Sequence, residues 1–270
     1  VRGASQSSGV EVESFKTYTP GDDIRHVDWI ALGRLDQLFT RRFVPEREIP
    51  LHVLVDGSAS MGVPRASSKF RFAIRLAVSL AYMAINHNDS VRLAVFRRVG
   101  EELALVETRR YRHRGRFPEL EPILAGLAPS GGTALLEGVN AYLERNREGG
   151  LAFVLSDFLT PVAVYQEALT RLRARRLEVR VVHLVGHAER ELGALRGRLR
   201  LRDVETGTNK DVALTETERR RYRQAFESRI EEIRRFCHAY GIGHALAVTE
   251  DGVAHFLTRT LAAQGLIEFR

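Results

Sequence analysis

The chain has 270 residues, 44% of them hydrophobic and 28% charged. That is an ordinary globular composition, with enough length for one large α/β domain or a domain of about 200 residues with an appendage. The longest nearly apolar stretch, Leu76–Ile85, is half the roughly 20 residues that a spanning helix needs. The single cysteine, Cys237, excludes an internal disulfide framework and a cysteine-built zinc site, and fits a core thiol in a reducing, cytoplasmic setting. Net charge is +7, carried almost wholly by arginine, since Lys16, Lys69 and Lys210 are the only lysines among 41 cations. Such a surplus suits acidic partners, anionic lipid or nucleic acid, and equally reflects a GC-rich genome, which requires no function. No signal peptide opens the sequence, yet it begins at Val1 rather than Met, so an upstream segment stays open.

Residues 1–9 are small and polar and read as a frayed end. Residues 10–50 alternate turns with short extended runs such as Leu38–Phe43, closed by Pro45 and Pro50. They are expected to form an extension packing on the core. From Leu51 the pattern changes to alternating strands and helices. Leu51–Val55 suits a buried parallel strand. Ser67 or Ser68 can cap a helix with Phe72, Leu76, Leu80 and Met83 at helical spacing. Strands follow at Val91–Phe96 and Glu102–Thr108, then helical segments near Phe117–Leu127 and Ala134–Arg145. Leu151–Ser156 is again an apolar strand, Pro161–Arg175 a helix and Val179–Val185 a strand. Arg198–Val204 and Lys210–Leu214 flank a turn and predict a hairpin inserted near residues 188–214. Thr215 with Glu218 makes a capping box for a helix to about Tyr240. His244–Val248 and Val253–Ala263 finish as strand and helix. Repeated βα units over residues 51–270 predict a doubly wound, mainly parallel sheet flanked by helices, with ligand loops beyond the carboxyl ends of the strands.

Three loops at those strand ends carry the chemistry. The first is Asp56-Gly57-Ser58-Ala59-Ser60-Met61-Gly62, directly after the first core strand. Ser130-Gly131-Gly132-Thr133 lies just before a helix, and Ser156-Asp157-Phe158 closes the Leu151 strand. Two carboxylates and three hydroxyls form a hard, all-oxygen set that favours Mg²⁺, Mn²⁺ or Ca²⁺ over softer metals. Each motif alone describes an ordinary polar turn. Their joint occurrence, in order and beside the right elements, makes Asp56, Ser58, Ser60, Thr133 and Asp157 the candidate metal ligands.

This spacing resembles the metal-ion-dependent adhesion site of von Willebrand factor A domains. The resemblance implies that Ser58, Ser60 and often Thr133 coordinate directly, and that Asp56 and Asp157 do so directly or through water. By the same resemblance, a glutamate or aspartate from a partner would usually fill the open position. A narrower similarity covers most of the chain. Tyr18-Thr19-Pro20-Gly21-Asp22-Asp23-Ile24-Arg25-His26-Val27-Asp28-Trp29 looks like the signature of the bacterial "domain of unknown function 58" family. Gly9–Glu13, Asp203-Val204-Glu205-Thr206-Gly207 and Cys237–Ile242 are similar too. That family implies association with MoxR-type AAA+ ATPases and an adaptor role in protein maturation or remodelling. The acidic turn itself reads as a clasp, with Gly21 at positive φ, Arg25 bridging two carboxylates and Trp29 buried beneath.

Other chemistries fit less well. A P-loop needs Lys and a hydroxyl where Val63 and Pro64 stand. A serine hydrolase using Ser60, Asp157 and His183, His187 or His255 has the right chain order, but Asp56 puts a carboxylate beside the developing oxyanion. Nucleic-acid binding rests on Arg171, Arg173, Arg175 and Arg176 and on Arg196, Arg198, Arg200 and Arg202, with few aromatics between them to stack bases. The expectation is therefore a non-enzymatic interaction protein that captures an acidic residue through a divalent cation.

Overall fold

The computed structural model describes residues 12–43, 48–63, 68–191, 197–205 and 207–267. Residues 1–9, the lead-in through Glu11, Pro45, Pro64, Ser67 as the alternative cap, Arg196 and Thr206 lie outside the described residues. The chain divides into two units, residues 1–48 and 49–270.

In the first unit, β1 (Val12–Thr17) pairs antiparallel with β2 (Phe39–Phe43). The acidic turn between them is built from local hydrogen bonds. Asp22 accepts from the Thr19 amide and hydroxyl, both at 2.9 Å, and pairs with Lys16 at 3.2 Å. Asp28 caps α1 (Trp29–Leu35) by accepting the Ile30 and Ala31 amides. Gly21 sits at φ +109°, a region that Gly enters without steric cost. Two expectations for this turn are corrected. Arg25 grips one carboxylate, that of Asp23, from Nε at 3.0 Å and Nη2 at 2.6 Å, because the two residues share one 3₁₀ turn. Trp29 is 63% exposed, since Val27 and Asp28 take the inward positions and the first residue of α1 turns outward.

The second unit is built on a six-stranded sheet. Its strands are β3 (Leu51–Asp56), β4 (Val91–Val99), β5 (Glu102–Glu107), β6 (Gly150–Ser156), β7 (Leu177–Val185) and β10 (Gly243–Val248). They lie in the order β10-β7-β6-β3-β4-β5, all parallel except β5, which pairs antiparallel with β4. Numbered within the sheet this is 6-5-4-1-2-3, the doubly wound order expected from the βα alternation. Along β3 the side chains alternate between two cores. Val53 and Val55 pack with α2 (Lys69–Asn86), α3 (Leu120–Ala125) and Phe256, while Leu54 packs with α4 (Leu135–Arg145), α5 (Val162–Ala174) and α7 (Glu216–Ala239). Apolar side chains on both faces explain why the strand is hydrophobic from Leu51 to Val55 at every position but His52.

Caps fall where the sequence put them. The Ser68 hydroxyl accepts the Arg71 amide at 3.4 Å and starts α2, and the Thr215 hydroxyl accepts the Glu218 amide at 3.2 Å and starts α7. Between β7 and α7 lie the short α6 (His187–Glu191) and the expected hairpin. Its strands, β8 (Gly197–Arg202) and β9 (Asn209–Leu214), form a two-stranded sheet of their own. After β10 comes α8 (Val253–His255), which runs into a π-helical turn at Phe256–Leu261. Among the described residues no helix is long and apolar enough to cross a membrane. Cys237 is buried in the second core, where burial pushes its thiol up to about 12, so it is an inert packing group.

Candidate metal centre

Strand β3 is where the sheet reverses its winding, with β4 on one side and β6 on the other. Side chains at the carboxyl ends of β3 and β6 therefore meet in the crevice that such sheets use for ligands. Asp56 is the last residue of β3 and Ser156 the last of β6, and the Ser156 hydroxyl donates to Asp56 Oδ2 at 2.6 Å. The Ser58 amide donates to Asp56 Oδ1 at 2.9 Å, turning the loop back over the strand end. This turn aligns the Ser58 and Ser60 hydroxyls, whose oxygens lie 3.1 Å apart.

The Thr133 loop is stitched to the first loop by main-chain bonds. The Ala59 amide donates to Gly131 O and the Ser130 amide to Gly57 O, both at 2.9 Å. Gly131 makes this approach possible. It sits at φ +68°, and a Cβ there would lie 2.7 Å from the Arg98 carbonyl oxygen. Gly57 is similarly tight, with the Phe96 carbonyl oxygen 3.1 Å from a would-be Cβ.

Asp157 follows β6, and its carboxylate is buried. Its Oδ2 takes no directed hydrogen bond but lies 2.8 Å from the ammonium of Lys69, the first residue of α2. Lys69 is fully buried and also pairs with Glu189 of α6. Burial works against its charge, but the Asp157 and Glu189 carboxylates outweigh this and raise its pKa. Asp56 is driven the other way from ordinary carboxylate behaviour. Burial, and then the Asp157 charge, push its carboxyl up to about 6 against the bonds from Ser156 and Ser58. A buried carboxylate held at that level is short of positive charge.

Thr133 faces the hairpin. Its amide and hydroxyl donate to the Glu205 carboxylate, at 3.3 Å to Oε2 and 3.4 Å to Oε1. Glu205 and Thr133 also help line a shallow cleft of about 330 Å³ with Glu137, Leu159 and Thr160.

A family model described as "Protein of unknown function DUF58" matches residues 14–235. The chain belongs to that family. The uncharacterized protein Rv1480 of Mycobacterium tuberculosis is 27% identical over 207 residues, covering 76% of this chain and 64% of the relative. The uncharacterized protein Mb1516 of Mycobacterium bovis matches to the same extent. This chain therefore spans less than two thirds of the curated relatives it matches. Among solved structures, the conserved hypothetical protein BatB of Bacteroides thetaiotaomicron is 15% identical with a TM-score of 0.41, over 70% of this chain and 99% of that one. The manganese-loaded TRAP protein of Plasmodium vivax is 21% identical with a TM-score of 0.37, over 52% and 58% respectively.

In this DUF58 chain the three loops that carry Asp56, Ser58, Ser60, Thr133 and Asp157 come together at one end of the sheet. The donor set suits a hard cation. The 3.1 Å between the Ser58 and Ser60 oxygens matches the edge of about 3 Å that neighbouring ligands span around an octahedral Mg²⁺. Ser60 is paired with Ser58, while the imidazole of His183 faces Phe158 and His244 edge-on, at ring separations of 5.6 and 5.9 Å. His187 sits on α6 with Asp251 4.0 Å away, and His255 belongs to α8. Of the arginine groups, Arg171 pairs with Glu167 and Arg200 with Asp211.

Two participants escape a reading of the residues alone. Lys69 stands out in sequence only as one of three lysines among 41 cations. Glu205 lies in the Asp203–Gly207 segment, which carries family likeness and no assigned role. Their partners are 88 and 72 positions away respectively, so only the tertiary fold pairs them.

Proposed function

We propose that this protein is a non-enzymatic interaction module that captures an acidic side chain of a protein partner through a divalent cation. Asp56, Ser58, Ser60, Thr133 and Asp157 would hold Mg²⁺, with Mn²⁺ or Ca²⁺ as substitutes. The observation that carries this reading is the pair of buried carboxylates, Asp56 and Asp157, at the strand ends whose loop also holds two hydroxyls 3.1 Å apart. A bound cation supplies positive charge to a site whose Asp56 is otherwise pushed toward protonation. Lys69 neutralises part of the Asp157 charge. A cation held by these residues would stay electron-poor and attract an incoming carboxylate. The partner in view is a MoxR-type AAA+ ATPase or its client, with the chain as adaptor in protein maturation or remodelling, a role suggested by family resemblance.

The test is thermal unfolding of the wild type and Asp56→Ala in EDTA and in excess Mg²⁺ or Mn²⁺. Cation at about 100 times its dissociation constant adds roughly 2.7 kcal/mol, or roughly 5–11 °C for a unit of this size. The wild type is expected to show that shift and Asp56→Ala to lose it. Equal melting of the wild type in EDTA and in metal removes the cation from the proposal.

A further inference from the structure

We propose that Glu205, at the tip of the β8–β9 hairpin, is a built-in ligand of the candidate metal centre and holds the position that a partner's carboxylate would take. This rests on the metal reading above and adds a regulator to it. The hairpin is a two-stranded sheet separate from the main sheet, with strands that are largely exposed. Its tip nevertheless comes back to the site. The Glu205 carboxylate accepts from the Thr133 amide at 3.3 Å and from its hydroxyl at 3.4 Å, which sets a carboxylate oxygen beside one hydroxyl of the candidate ligand set.

The backbone holds the tip in shape. Asp203 Oδ1 accepts the Glu205 amide at 2.8 Å, and the Asp203 carbonyl accepts the Gly207 amide at 2.8 Å, with Gly207 at φ +74°. This is an Asx-type turn, with a glycine where a left-handed residue is required. The carboxylate is thus presented next to two hydrogen bonds that Asp203 makes. Among the described residues no basic side chain pairs with Glu205, whereas Glu137, on the wall of the same cleft, pairs with Arg98 at 2.5 Å. Glu205 spends its hydrogen-bonding capacity on a residue of the metal set instead.

The chemistry is that of a tethered pseudo-ligand. A glutamate fixed within one chain competes at an effective concentration of order millimolar, so a free acidic side chain displaces it only when further contacts add affinity. The site is therefore closed to isolated carboxylates. It opens to a partner that binds the site's acidic position and also draws the hairpin away.

Mn²⁺ alone is the probe. Its affinity and the water-proton relaxation of bound Mn²⁺ are measured for the wild type, Glu205→Gln, Glu205→Ala and Asp56→Ala, with and without acetate. Melting in EDTA checks that each chain is folded. Both Glu205 variants are expected to bind Mn²⁺ about tenfold more weakly, as second-shell and ligand losses do. They should also relax water faster per bound ion, because water enters the vacated position. Acetate should reduce that relaxation in Glu205→Ala and leave the wild type unchanged. Wild-type affinity and relaxation in both Glu205 variants, or tighter Mn²⁺ binding in them, overturns the proposal while the metal centre stands. Failure of the wild type to bind Mn²⁺ removes both.

Discussion

Lys69 is the residue on which the electrostatics of the site turn. Its ammonium is fully buried between the carboxylates of Asp157 and Glu189. Removing one partner of a buried pair leaves the other charge uncompensated, at a cost of about 3–5 kcal/mol. Lys69→Met keeps the length and apolar character of the stem but deletes the charge, so in EDTA the chain should melt well below the wild type. The sign reverses for metal. With its local cation gone, Asp157 has more negative charge to offer, and a divalent ion restores what was lost. The Mg²⁺-induced rise in melting temperature should therefore be larger in Lys69→Met than in the wild type. A smaller rise would place the lysine on the metal's side, as an organiser of the ligands rather than a competitor for Asp157.

At the scale of elements, three loops meet because glycines let their backbones approach. Gly131 combines a left-handed φ of +68° with a Cβ position 2.6 Å from the Arg98 Cβ. Gly100 has a similar φ of +62° but nothing within 4 Å of its Cβ position. Alanine at Gly100 should cost only the backbone strain, about 1–2 kcal/mol. Alanine at Gly131 must also push β4 and the Thr133 loop apart, so it should lose more stability and weaken metal binding as well. Chemical unfolding of the two variants, with and without Mg²⁺, distinguishes these effects. Equal losses would mean that the loop contact with Arg98 is easily relaxed. The same contrast explains what the sequence disclosed. Asp56, Ser58 and Ser60 form one local motif after an apolar strand, and the βα alternation that places Asp157 and Thr133 at the same sheet end is a periodic pattern. The Ser68 and Thr215 caps likewise need only a few neighbouring residues. Lys69 and Glu205 join the site through α6 and the hairpin, whose positions depend on packing far along the chain. The exposure of Trp29 was hidden for a different reason. Its outward direction is set by the phase at which Asp28 starts a two-turn helix, and a tryptophan in sequence reads as core.

Over the whole molecule, acid should act through one buried imidazole, His183, and one half-buried, His244. Burial, and then the charge of Arg234, hold His244 down to about 4, with Glu231 opposing. Burial and the neighbouring His244 hold His183 down to about 3. Each has a folded value below the unfolded value of about 6.5. The unfolded chain therefore binds more protons as pH falls through this window, and stability is lost from about pH 6.5 down toward pH 4. Asp56 runs the other way, because a folded value of about 6 lies above the ordinary carboxylate value. In EDTA its contribution is present below about pH 4 and fades as pH rises to 6. The net slope of the wild type thus mixes opposing signs, and the informative quantity is the difference from His244→Gln. That substitution removes one imidazole from the edge-on pair and leaves Asp56 untouched. Denaturant midpoints between pH 7 and pH 4 should fall more steeply for the wild type than for the variant, with the two curves converging or crossing at the acid end. Parallel curves would mean that His244 titrates alike in the folded and unfolded chains, with water reaching its ring despite the packing against His183.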